Sequence, residues 1–310
     1  MTAPAILAIA MLIDALAGGA RRIWSRVPHP VALMRCAVEQ TDAHFNHGKH
    51  RHAKGACAAA TFVALAWVIG EALTALPFSW IVETLLTAAM LAQRSLADHA
   101  NAVARALRLS VEDGRRSVAE IVGRDTADMG TSEVARAAAE TVAGNLSDGF
   151  VAPAFWFLVA GLPGLLVYKI VNTADSMIGC RTTRHEAFGW AVTILDYLLN
   201  WMPARLTAAL IAASHLKPKA WRIALRDARL HRSPYAGYPE AAMAAVLGIA
   251  LSGPRSHEGQ SKKYPYVHPE GRRELGPDDI DSAVAALWRS WALALALALA
   301  LATALALTVA

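Results

Sequence analysis

The sequence predicts an all-α, polytopic integral membrane protein with about four transmembrane helices, re-entrant or half-helices, and cytoplasmic helical loops. Hydrophobic residues make up 55% of the 310 residues, and charged residues make up only 18%. Because soluble domains carry about a quarter charged residues, this balance favours a chain that sits in lipid. The formal net charge of +5 is typical of Lys and Arg retained in cytoplasmic loops, so we expect no nucleic-acid partner.

The carboxyl end carries the clearest membrane-spanning pattern. Residues 290–310 contain no charge and consist almost entirely of Ala and Leu. A helix of that length crosses ~30 Å of hydrocarbon, so this segment is predicted to be the C-terminal transmembrane helix. Further crossings are predicted near the amino end, at residues 3–16, 55–76 and 78–93, and the last two form a hairpin around Pro77.

The basic residues of the loops predict the orientation and the domain organisation. Residues 21–54 and 94–136 are rich in Arg or Lys, and the positive-inside bias puts such segments in the cytoplasm. We therefore expect one domain over residues 1–310, embedded in the cytoplasmic (inner) membrane, with active-site loops in the cytoplasm and both termini in the periplasm. Its cytoplasmic parts are a loop at residues 252–289 and a helical insertion at residues 94–148, with helices at 97–109, 111–121 and 132–143.

The apolar segment at residues 149–168 is long enough to span the membrane, but its centre reads Gly161-Leu162-Pro163-Gly164. Pro and Gly interrupt the helical hydrogen-bond ladder, which favours two half-helices over one straight rod. A re-entrant hairpin would return the chain to the same side, and the residues leave open whether this segment spans or re-enters. The shorter apolar segments at residues 198–213 and 241–251 allow the same alternatives.

Polar residues that could carry chemistry precede this interrupted segment. The block Gly123-Arg124-Asp125-Thr126 lacks helical periodicity. Its adjacent opposite charges and its hydroxyl form either a surface turn or a site for phosphate and a metal ion. Further along, Glu133, Arg136 and Glu140 follow helical spacing along one face, which is typical of an ordinary solvated helix.

Acidic residues also stand at both ends of the interrupted segment. We expect Asp148 and Asp175 to emerge side by side at the mouth of the hairpin, near Arg181 and Arg184. Discontinuous helices that end in polar residues at a membrane face are a recurrent way to build a binding site.

Histidine and cysteine do not predict a metal centre. The histidines at positions 44, 47, 50 and 52 are more simply solvated loop residues than ligands, because no carboxylate or cysteine completes a tight cluster. Cys36, Cys57 and Cys180 are isolated, without the paired spacing of a disulfide framework or a zinc site.

Taken in order, the polar blocks form a pattern that extends over nearly the whole chain. They are Asp14 with Pro28-His29-Pro30-Val31, Gly123-Arg124-Asp125-Thr126, Glu140-Thr141-Val142-Ala143, Asn145, Asp148-Gly149, Gly161-Leu162-Pro163-Gly164, Tyr168, Asn172-Thr173-Ala174-Asp175-Ser176-Met177, Phe188-Gly189-Trp190, Asn200, Pro203-Ala204-Arg205-Leu206, Ser233-Pro234, Gly237 and Pro239-Glu240-Ala241-Ala242-Met243. This pattern resembles the CobD/CbiB family of membrane proteins, the adenosylcobinamide-phosphate synthases.

The resemblance implies an acid–amine ligase of cobalamin (vitamin B12) biosynthesis. Such enzymes join adenosylcobyric acid to (R)-1-amino-2-propanol O-phosphate, or to the free aminoalcohol, through an ATP-dependent amide bond. Because a carboxylate is a poor acyl donor, ATP is needed to activate it, with Mg²⁺ neutralising the phosphates. The implied cofactors are ATP and Mg²⁺, a corrinoid is the implied substrate, and the implied partners are the lipid bilayer and other late corrin-pathway enzymes.

The same resemblance implies roles for individual residues. The implied catalytic residues are Arg124, Asp125, Glu140, Asn145, Asp148, Asn172, Asp175 and Ser176. The implied substrate-binding residues are Asp14, His29, Thr126, Thr173, Arg181, Asp196, Asn200, Arg205, Arg229 and Ser233. Asp125, Asp148 and Asp175 are the implied Mg²⁺ ligands, because clustered carboxylates suit a hard cation.

Some positions depart from the family pattern, and other functions compete with the ligase. Family members usually carry Asp at the position of Gly19, Glu at that of Gly144 and Asn at that of Tyr235. These losses favour a corrinoid-binding scaffold without catalysis. The interrupted apolar segments, with Glu71 and Glu83 inside predicted spans, favour a transporter, although polar residues do not line several full spans.

Overall fold

In the computed structural model, the described residues are 1–18, 28–179, 182–233, 235–257, 260–262 and 264–309. They fall into two compact units that alternate along the chain. Unit 1 comprises Met1–Ala92, Ala152–Trp201 and Leu297–Ala310, and unit 2 comprises Gln93–Val151 and Met202–Ala296. Helices dominate both units, which confirms the predicted all-α class.

The elements follow one another in this order. The described helices are α1 (Ala3–Ala17), α2 (Pro30–Phe45), α3 (Arg51–Thr74), α4 (Ser79–Met90), α5 (Gln93–Leu109), α6 (Val111–Ala119), α7 (Thr131–Asn145), α8 (Ala152–Ile178), α9 (Trp190–Ser214), α10 (Pro218–Asp227), α11 (Gly237–Leu247) and α12 (Pro277–Val309). A π-helical turn, Leu146–Val151, joins α7 to α8, and a short 3₁₀ turn, Ala228–Leu230, follows α10.

The helices predicted within the polar insertion are confirmed as α5, α6 and α7. Helix α5 buries Ala100, Val103 and Leu107, whose helical spacing gives it one continuous apolar face. Helix α6 begins after Ser110, whose hydroxyl accepts a hydrogen bond from the backbone N–H of Asp113 at 3.0 Å. Such a cap satisfies one of the backbone donors left free at a helix start, which explains why α6 begins there.

Short antiparallel strands, which the sequence did not predict, lie between α11 and α12. Strand β1 (Leu251–Ser252) pairs with β4 (Tyr266–Val267), and β2 (Arg255–His257) pairs with β3 (Gln260–Lys262). The strands follow Gly248, which ends α11 with a φ of 70°, a left-handed conformation that glycine adopts without steric cost.

Helix α8 is broken where the sequence predicted an interruption. Ala160 and Gly161 leave helical geometry, and Gly161 has a φ of 62°. The carbonyl oxygen of Trp156 lies 2.7 Å from the position that a Cβ atom would occupy on Gly164. Eight residues of continuous helix would separate these groups by about 12 Å, so the two half-helices of α8 meet at a tight turn. Pro163 lies in the first turn of the second half, where its missing N–H costs nothing.

Among the described residues, three helical segments are long and apolar enough to cross a membrane. They are Arg51–Thr74, a stretch within Thr131–Ile178, and Pro277–Thr308. They indicate a membrane protein. The predicted crossing at residues 78–93 forms only the 12-residue helix α4, about 18 Å long, because Leu91 is extended and a new helix begins at Gln93.

The carboxyl-terminal helix begins earlier than predicted. Helix α12 starts at Pro277 and runs for 33 residues, so the predicted loop at residues 252–289 ends at Gly276. Proline suits the first helical turn, and the carboxylates of Asp278 and Asp279 favour the positive end of the helix dipole there. The absence of charge after Arg289 defined the apolar part of this helix but did not define its start.

The close approach of α3 to the break in α8 gives a stability prediction. A Cβ atom on Gly70 would lie 2.5 Å from the Cα atom of Pro163. We expect Gly70→Ala to lower the free energy of unfolding by about 1–3 kcal/mol, because overpacking outweighs the better helix propensity of alanine. Denaturation of the detergent-solubilised protein measures this. Gly144→Ala is the control, since its added Cβ would meet no atom within 4 Å; equal stability of the two variants would contradict the close approach.

Candidate functional site

A small cavity in unit 2 gathers charged side chains from the loop between α6 and α7 and from α7 itself. It encloses about 90 Å³ and is lined by Arg124, Asp125, Asp128, Met129, Glu133, Arg136, Ser252 and Pro254. The loop that carries Arg124 and Asp125 is non-helical, as its lack of periodicity predicted. The cavity has room for several water molecules or for one phosphoryl group.

Glu140 ties the loop before α7 to the strand after α11. Its carboxylate is buried and accepts a hydrogen bond from Nη2 of Arg124 at 2.9 Å and another from the backbone N–H of Ser252 at 2.7 Å. Ser252 is itself buried and has a φ of 60°, a strained conformation for a residue other than glycine. Glu140 therefore orients two groups that line the cavity, which makes it a positioning residue in this geometry.

Arg136 is a cavity residue whose environment the sequence did not predict. Its guanidinium donates to the carbonyls of Ala250, at 3.2 Å, and Arg273. It also lies 5.3 Å from the ring centroid of Tyr266, and the guanidinium of Arg273 lies 4.7 Å from that centroid. The expectation of a solvated helix face is wrong for Arg136 and Glu140, because strand β1, distant in sequence, covers that face.

Asn145 and Asp148 lie where α7 passes into α8. Helix α7 ends at Asn145, and the backbone continues directly into the π-helical turn Leu146–Val151. Asn145 is exposed, Asp148 is half-buried, and Ser147 between them is buried. π-Helical turns occur frequently at functional sites, so this turn is a second candidate region of unit 2.

The second half of α8 and the start of α9 share a buried polar network in unit 1. The hydroxyl of Tyr168 donates to Oδ1 of Asn200 at 3.0 Å, and Nδ2 of Asn200 donates to Oδ1 of Asp196, also at 3.0 Å. Nδ2 of Asn172 donates to the same Asp196 oxygen at 3.2 Å. Tyr168 and Asn172 are four residues apart, as are Asp196 and Asn200, so each pair lies on one helix face. This spacing is the sequence signal that identifies the network.

Asp175 lies one turn beyond that network. Its Oδ1 accepts a hydrogen bond from the hydroxyl of Thr193 at 2.7 Å. A Cβ atom on Gly179 would lie 2.0 Å from the same oxygen, so only glycine leaves room for this carboxylate. The exposed Ser176 donates to the carbonyl of Asn172 at 2.9 Å, and Thr173 is buried. Thr193 and Gly179 were not predicted as site residues.

The predicted site residues near the amino end have structural partners. Nδ1 of His29 accepts a hydrogen bond from the backbone N–H of Val31 at 3.2 Å and caps α2. Asp14 is buried within α1.

Arg184 donates to Asp42 at 2.6 Å. Arg181 lies outside the described residues.

The ion pair between Arg184 and Asp42 is a contact that sequence reasoning missed. Burial alone would raise the pKa of the Asp42 carboxyl, but hydrogen bonds from Asn46 and Arg184 outweigh burial and lower it. Asn46 also donates to the carbonyl of Arg184 at 3.0 Å. These contacts tie the segment before α9 to the end of α2.

The remaining predicted residues of unit 2 are distributed over α9, the 3₁₀ turn after α10 and the loops. Arg205 donates to the hydroxyl of Tyr238 at 2.9 Å and lies 4.3 Å from its ring centroid. The hydroxyl of Ser233 accepts from the backbone N–H of Ala236 at 3.3 Å, which is a capping role. Arg229 is exposed and Thr126 is half-buried. None of these four lines the cavity around Arg124.

The donor groups of the cavity fit Mg²⁺ only together with a phosphate. Among the described residues, no three His, Cys, Asp or Glu side chains are grouped so that they alone could hold a metal ion. Mg²⁺ is usually bound by one or two carboxylates together with water and substrate phosphates. Asp125 and Asp128 supply such carboxylates, and Arg124 supplies charge for a phosphate. Asp148 belongs to unit 2 and Asp175 to unit 1, so their predicted adjacency stays a prediction.

Two of the three departures from the family pattern fall on described residues. Gly144 lies near the end of α7, and a Cβ atom there would meet nothing within 4 Å, so the position has room for a larger side chain. Tyr235 is half-buried, and Gly19 lies outside the described residues.

The comparisons of this chain with a family model and with individual proteins agree with each other. A family model described as "CobD/Cbib protein" matches residues 7–287. A relative from Brucella anthropi, named "Cobalamin biosynthesis protein CobD", is 43% identical over 305 residues, covering 93% of each chain. A protein of the same name from Rhodobacter capsulatus is 40% identical over 302 residues, covering 94% of this chain and 95% of its own. No solved structure matches the chain.

The role of Glu140 gives a mutational prediction. We expect Glu140→Ala to lower the free energy of unfolding by about 3 kcal/mol, because removal of one member of a buried ion pair leaves the other uncompensated. Glu140→Gln keeps an acceptor oxygen and is expected to lose less. Glu120→Ala is the control, since the Glu120 side chain is exposed. Denaturation in detergent measures the stability of all three variants. A Glu140→Ala variant as stable as the control would contradict the positioning role of Glu140.

The cap at His29 gives a pH prediction. Burial lowers the pKa of His29 below its ordinary value, so the neutral, capping form is favoured in the folded protein. This contribution to stability is present above the unfolded pKa of about 6.5 and is lost as the pH falls through the lower folded value. Thermal unfolding between about pH 7.5 and 5 should therefore show a steeper acid loss for the wild type than for His29→Asn, which caps without titrating. Identical pH profiles would contradict the prediction.

Proposed function

Because the chain belongs to the CobD/CbiB family, we propose that it is an ATP-dependent acid–amine ligase of cobalamin biosynthesis. It would join the free carboxylate of adenosylcobyric acid to (R)-1-amino-2-propanol O-phosphate, or to the free aminoalcohol, through an amide bond. The observation that carries this proposal is the cavity in unit 2, where Arg124, Asp125 and Asp128 meet. Guanidinium and carboxylate groups in one small space suit a phosphate and its magnesium ion.

Arg124 is the group best oriented to hold a phosphoryl group. Its Nη2 is fixed by Glu140, while Nε and Nη1 make no hydrogen bond within the part of the chain that the structure describes. A guanidinium held on one side can present its remaining N–H groups to phosphate oxygens. Because its contact with Glu140 already restricts rotation of the Arg124 side chain, phosphate binding costs less side-chain entropy. In the proposed reaction, Arg124 therefore positions and neutralises a phosphoryl group.

The carboxylates of the cavity serve the metal in this proposal. Mg²⁺, when bound, would neutralise the phosphates of ATP and so favour transfer of the γ-phosphoryl group to the corrinoid carboxylate, with ADP as the leaving group. Asp125 and Asp128 would hold the ion at the cavity wall, and Asp148 and Asp175 are the further metal ligands that we propose. The free electron pair of the amine then attacks the activated carbonyl carbon, phosphate leaves, and the amine proton passes to solvent or to a carboxylate.

The buried network of unit 1 would serve the corrinoid. Corrinoids carry several amide side chains, which are both donors and acceptors of hydrogen bonds. Asn172, Asp196 and Asn200 are held in fixed orientations by one another and by Tyr168. We propose that the half-buried Asn172 contacts the corrinoid amides, while Asp196 and Asn200 fix the orientation of the Asn172 side chain.

The proposed topology retains the positive-inside orientation. The loops at residues 94–148 and 252–276 lie on the cytoplasmic face of the inner membrane, and the ends of α1 and α12 nearest the termini lie on the periplasmic face. Helix α3 carries the chain outward, and α4 with the extended Leu91 and the following Ala92 carries it back over about 25 Å. With α1 and α12, this gives the four proposed crossings, and the broken α8 enters as two half-helices.

Substitution of the proposed metal ligands tests this function. We expect Asp125→Ala, Asp148→Ala and Asp175→Ala each to reduce corrinoid amide formation by about a hundredfold or more, the usual effect of removing a group that stabilises charge in the transition state. Amide product is measured by mass spectrometry in membranes that contain equal amounts of each variant.

The matched control is Asp98→Ala. Asp98 is exposed, pairs with Arg94 at 3.1 Å on α5 and does not line the cavity. This variant should keep full activity. Wild-type amide yield from all three aspartate variants would refute the ligase site, and corrinoid uptake into vesicles without amide formation would favour a transporter instead.

A further inference from the structure

An apolar groove runs along the outside of unit 1 between α3 and α9. It encloses about 730 Å³, and its lining is almost wholly apolar. Ala56, Ala60 and Ala64 form the side contributed by α3, while Trp67, Trp190 and Ile194 form its bulky borders. The alanines recur every four residues, so they lie on one helix face and make a straight channel bordered by larger side chains.

The dimensions of the groove match one leaflet of a bilayer. From Ala56 to Trp67 the helix rises about 16 Å, which is close to half of the ~30 Å hydrocarbon thickness. Helix α3 is one of the segments long and apolar enough to cross a membrane. The groove therefore begins near the amino end of a candidate span and reaches Val68, about two thirds of the way along that span.

The end of the groove near the start of α3 is basic. Residues 43–54 include Lys49, Arg51 and Lys54 and contain no acidic residue. Lys54 donates to the carbonyl of His47 at 2.9 Å, and Arg51 donates to the side-chain oxygen of Asn46 at 2.8 Å. These acceptors are neutral, so within the described part of the chain the contacts leave both positive charges without a carboxylate.

Trp190 marks the same end of the groove. Its indole N–H donates to the carbonyl of His52 at 3.0 Å, and the His52 and Trp190 rings lie 6.1 Å apart. Tryptophan is enriched at membrane interfaces, where its apolar ring and its polar N–H are both satisfied. The positive charges therefore lie at the level where lipid phosphates would be.

We propose that this groove binds one anionic phospholipid, with an acyl chain along the alanine face and the phosphate beside Lys49, Arg51 and Lys54. An unbranched flexible chain fits a channel whose one side is formed by methyl groups. Apolar contact alone would not distinguish one lipid from another, because every lipid has acyl chains. Selectivity arises from the basic end, where each Lys or Arg near a membrane contributes about fivefold in affinity for anionic lipid. This site is separate from the cavity around Arg124 and does not depend on the proposed activity.

Brominated lipids test the proposal in the full-length protein. Phosphatidylglycerol and phosphatidylcholine with brominated acyl chains are titrated into mixed micelles, and quenching of tryptophan fluorescence is recorded. We expect stronger quenching by brominated phosphatidylglycerol. Trp67→Phe should remove much of the difference between the two lipids, whereas Trp80→Phe should retain it, because Trp80 is exposed on α4 outside the groove.

Two further variants distinguish the contribution of the apolar groove to lipid binding from that of the basic residues. Ala64→Phe, which fills the groove, should abolish the preference for phosphatidylglycerol, whereas Leu65→Phe on the adjacent exposed face should preserve it. Lys49→Gln combined with Lys54→Gln should lower the preference by about 25-fold, while the quenching by phosphatidylcholine stays unchanged. These glutamines keep hydrogen-bonding capacity, so the double variant remains informative even if Ala64→Phe does not fold.

Some outcomes would overturn the proposal. Equal quenching by the two brominated lipids in the wild type would show that the groove does not select anionic lipid. A preference that survives both Ala64→Phe and the double lysine variant would assign the lipid site elsewhere. A dimer that Ala64→Phe converts to a monomer, without a change in quenching, would identify a second copy of the chain as the occupant.

Discussion

The tight turn at Ala160 and Gly161 is the constraint on which the interior of unit 1 depends. Because Gly161 tolerates a positive φ, the half-helices of α8 meet at a turn instead of forming one long rod. As a result, Trp156 before the turn and Tyr168 after it reach neighbouring residues of α9, the carbonyl of Leu199 and the side chain of Asn200, each at 3.0 Å. A straight helix would separate these two contacts by about 18 Å. The turn therefore brings Trp156, from the first half of α8, to the same part of α9 as the polar network of the second half.

In unit 2 the corresponding constraint is electrostatic. A buried carboxylate is costly unless it is paired and hydrogen-bonded, and Glu140 meets this condition with Arg124 and the N–H of Ser252. These bonds hold a loop and a strand at the cavity, whose other carboxylates, including Asp125 and Asp128, are exposed. Glu140 therefore has a structural role at the cavity, while Asp125 and Asp128 lie exposed at its wall.

Much of the fold could be predicted from local sequence signals. Most of the features that could not be predicted depend on contacts between residues that are far apart in the sequence. The amphipathic periodicity of α5, the start of α6 at Val111 and the Gly-Pro interruption of α8 depend on signals within a few residues, so the sequence predicted them. The burial of Glu140 and Arg136 depends on a strand more than 100 residues away, which helical spacing cannot reveal. The early start of α12 was missed because its first turns are polar on one side. Of the predicted site residues, Arg124 and Asp125 line the cavity of unit 2, and Asn172, Asp196 and Asn200 share the network of unit 1. Thr193 and Gly179, which lie against Asp175, carry no distinctive pattern of their own.

The central claim is that this chain forms an amide bond at the expense of ATP. The most direct measurement is turnover by the purified protein in detergent with adenosylcobyric acid, Mg²⁺ and either aminopropanol phosphate or aminopropanol, with and without ATP. The account predicts a product whose mass equals the two substrates minus water, formed only when ATP is present and accompanied by ATP cleavage. Folded protein that binds the corrinoid but forms no amide with either amine would contradict the account.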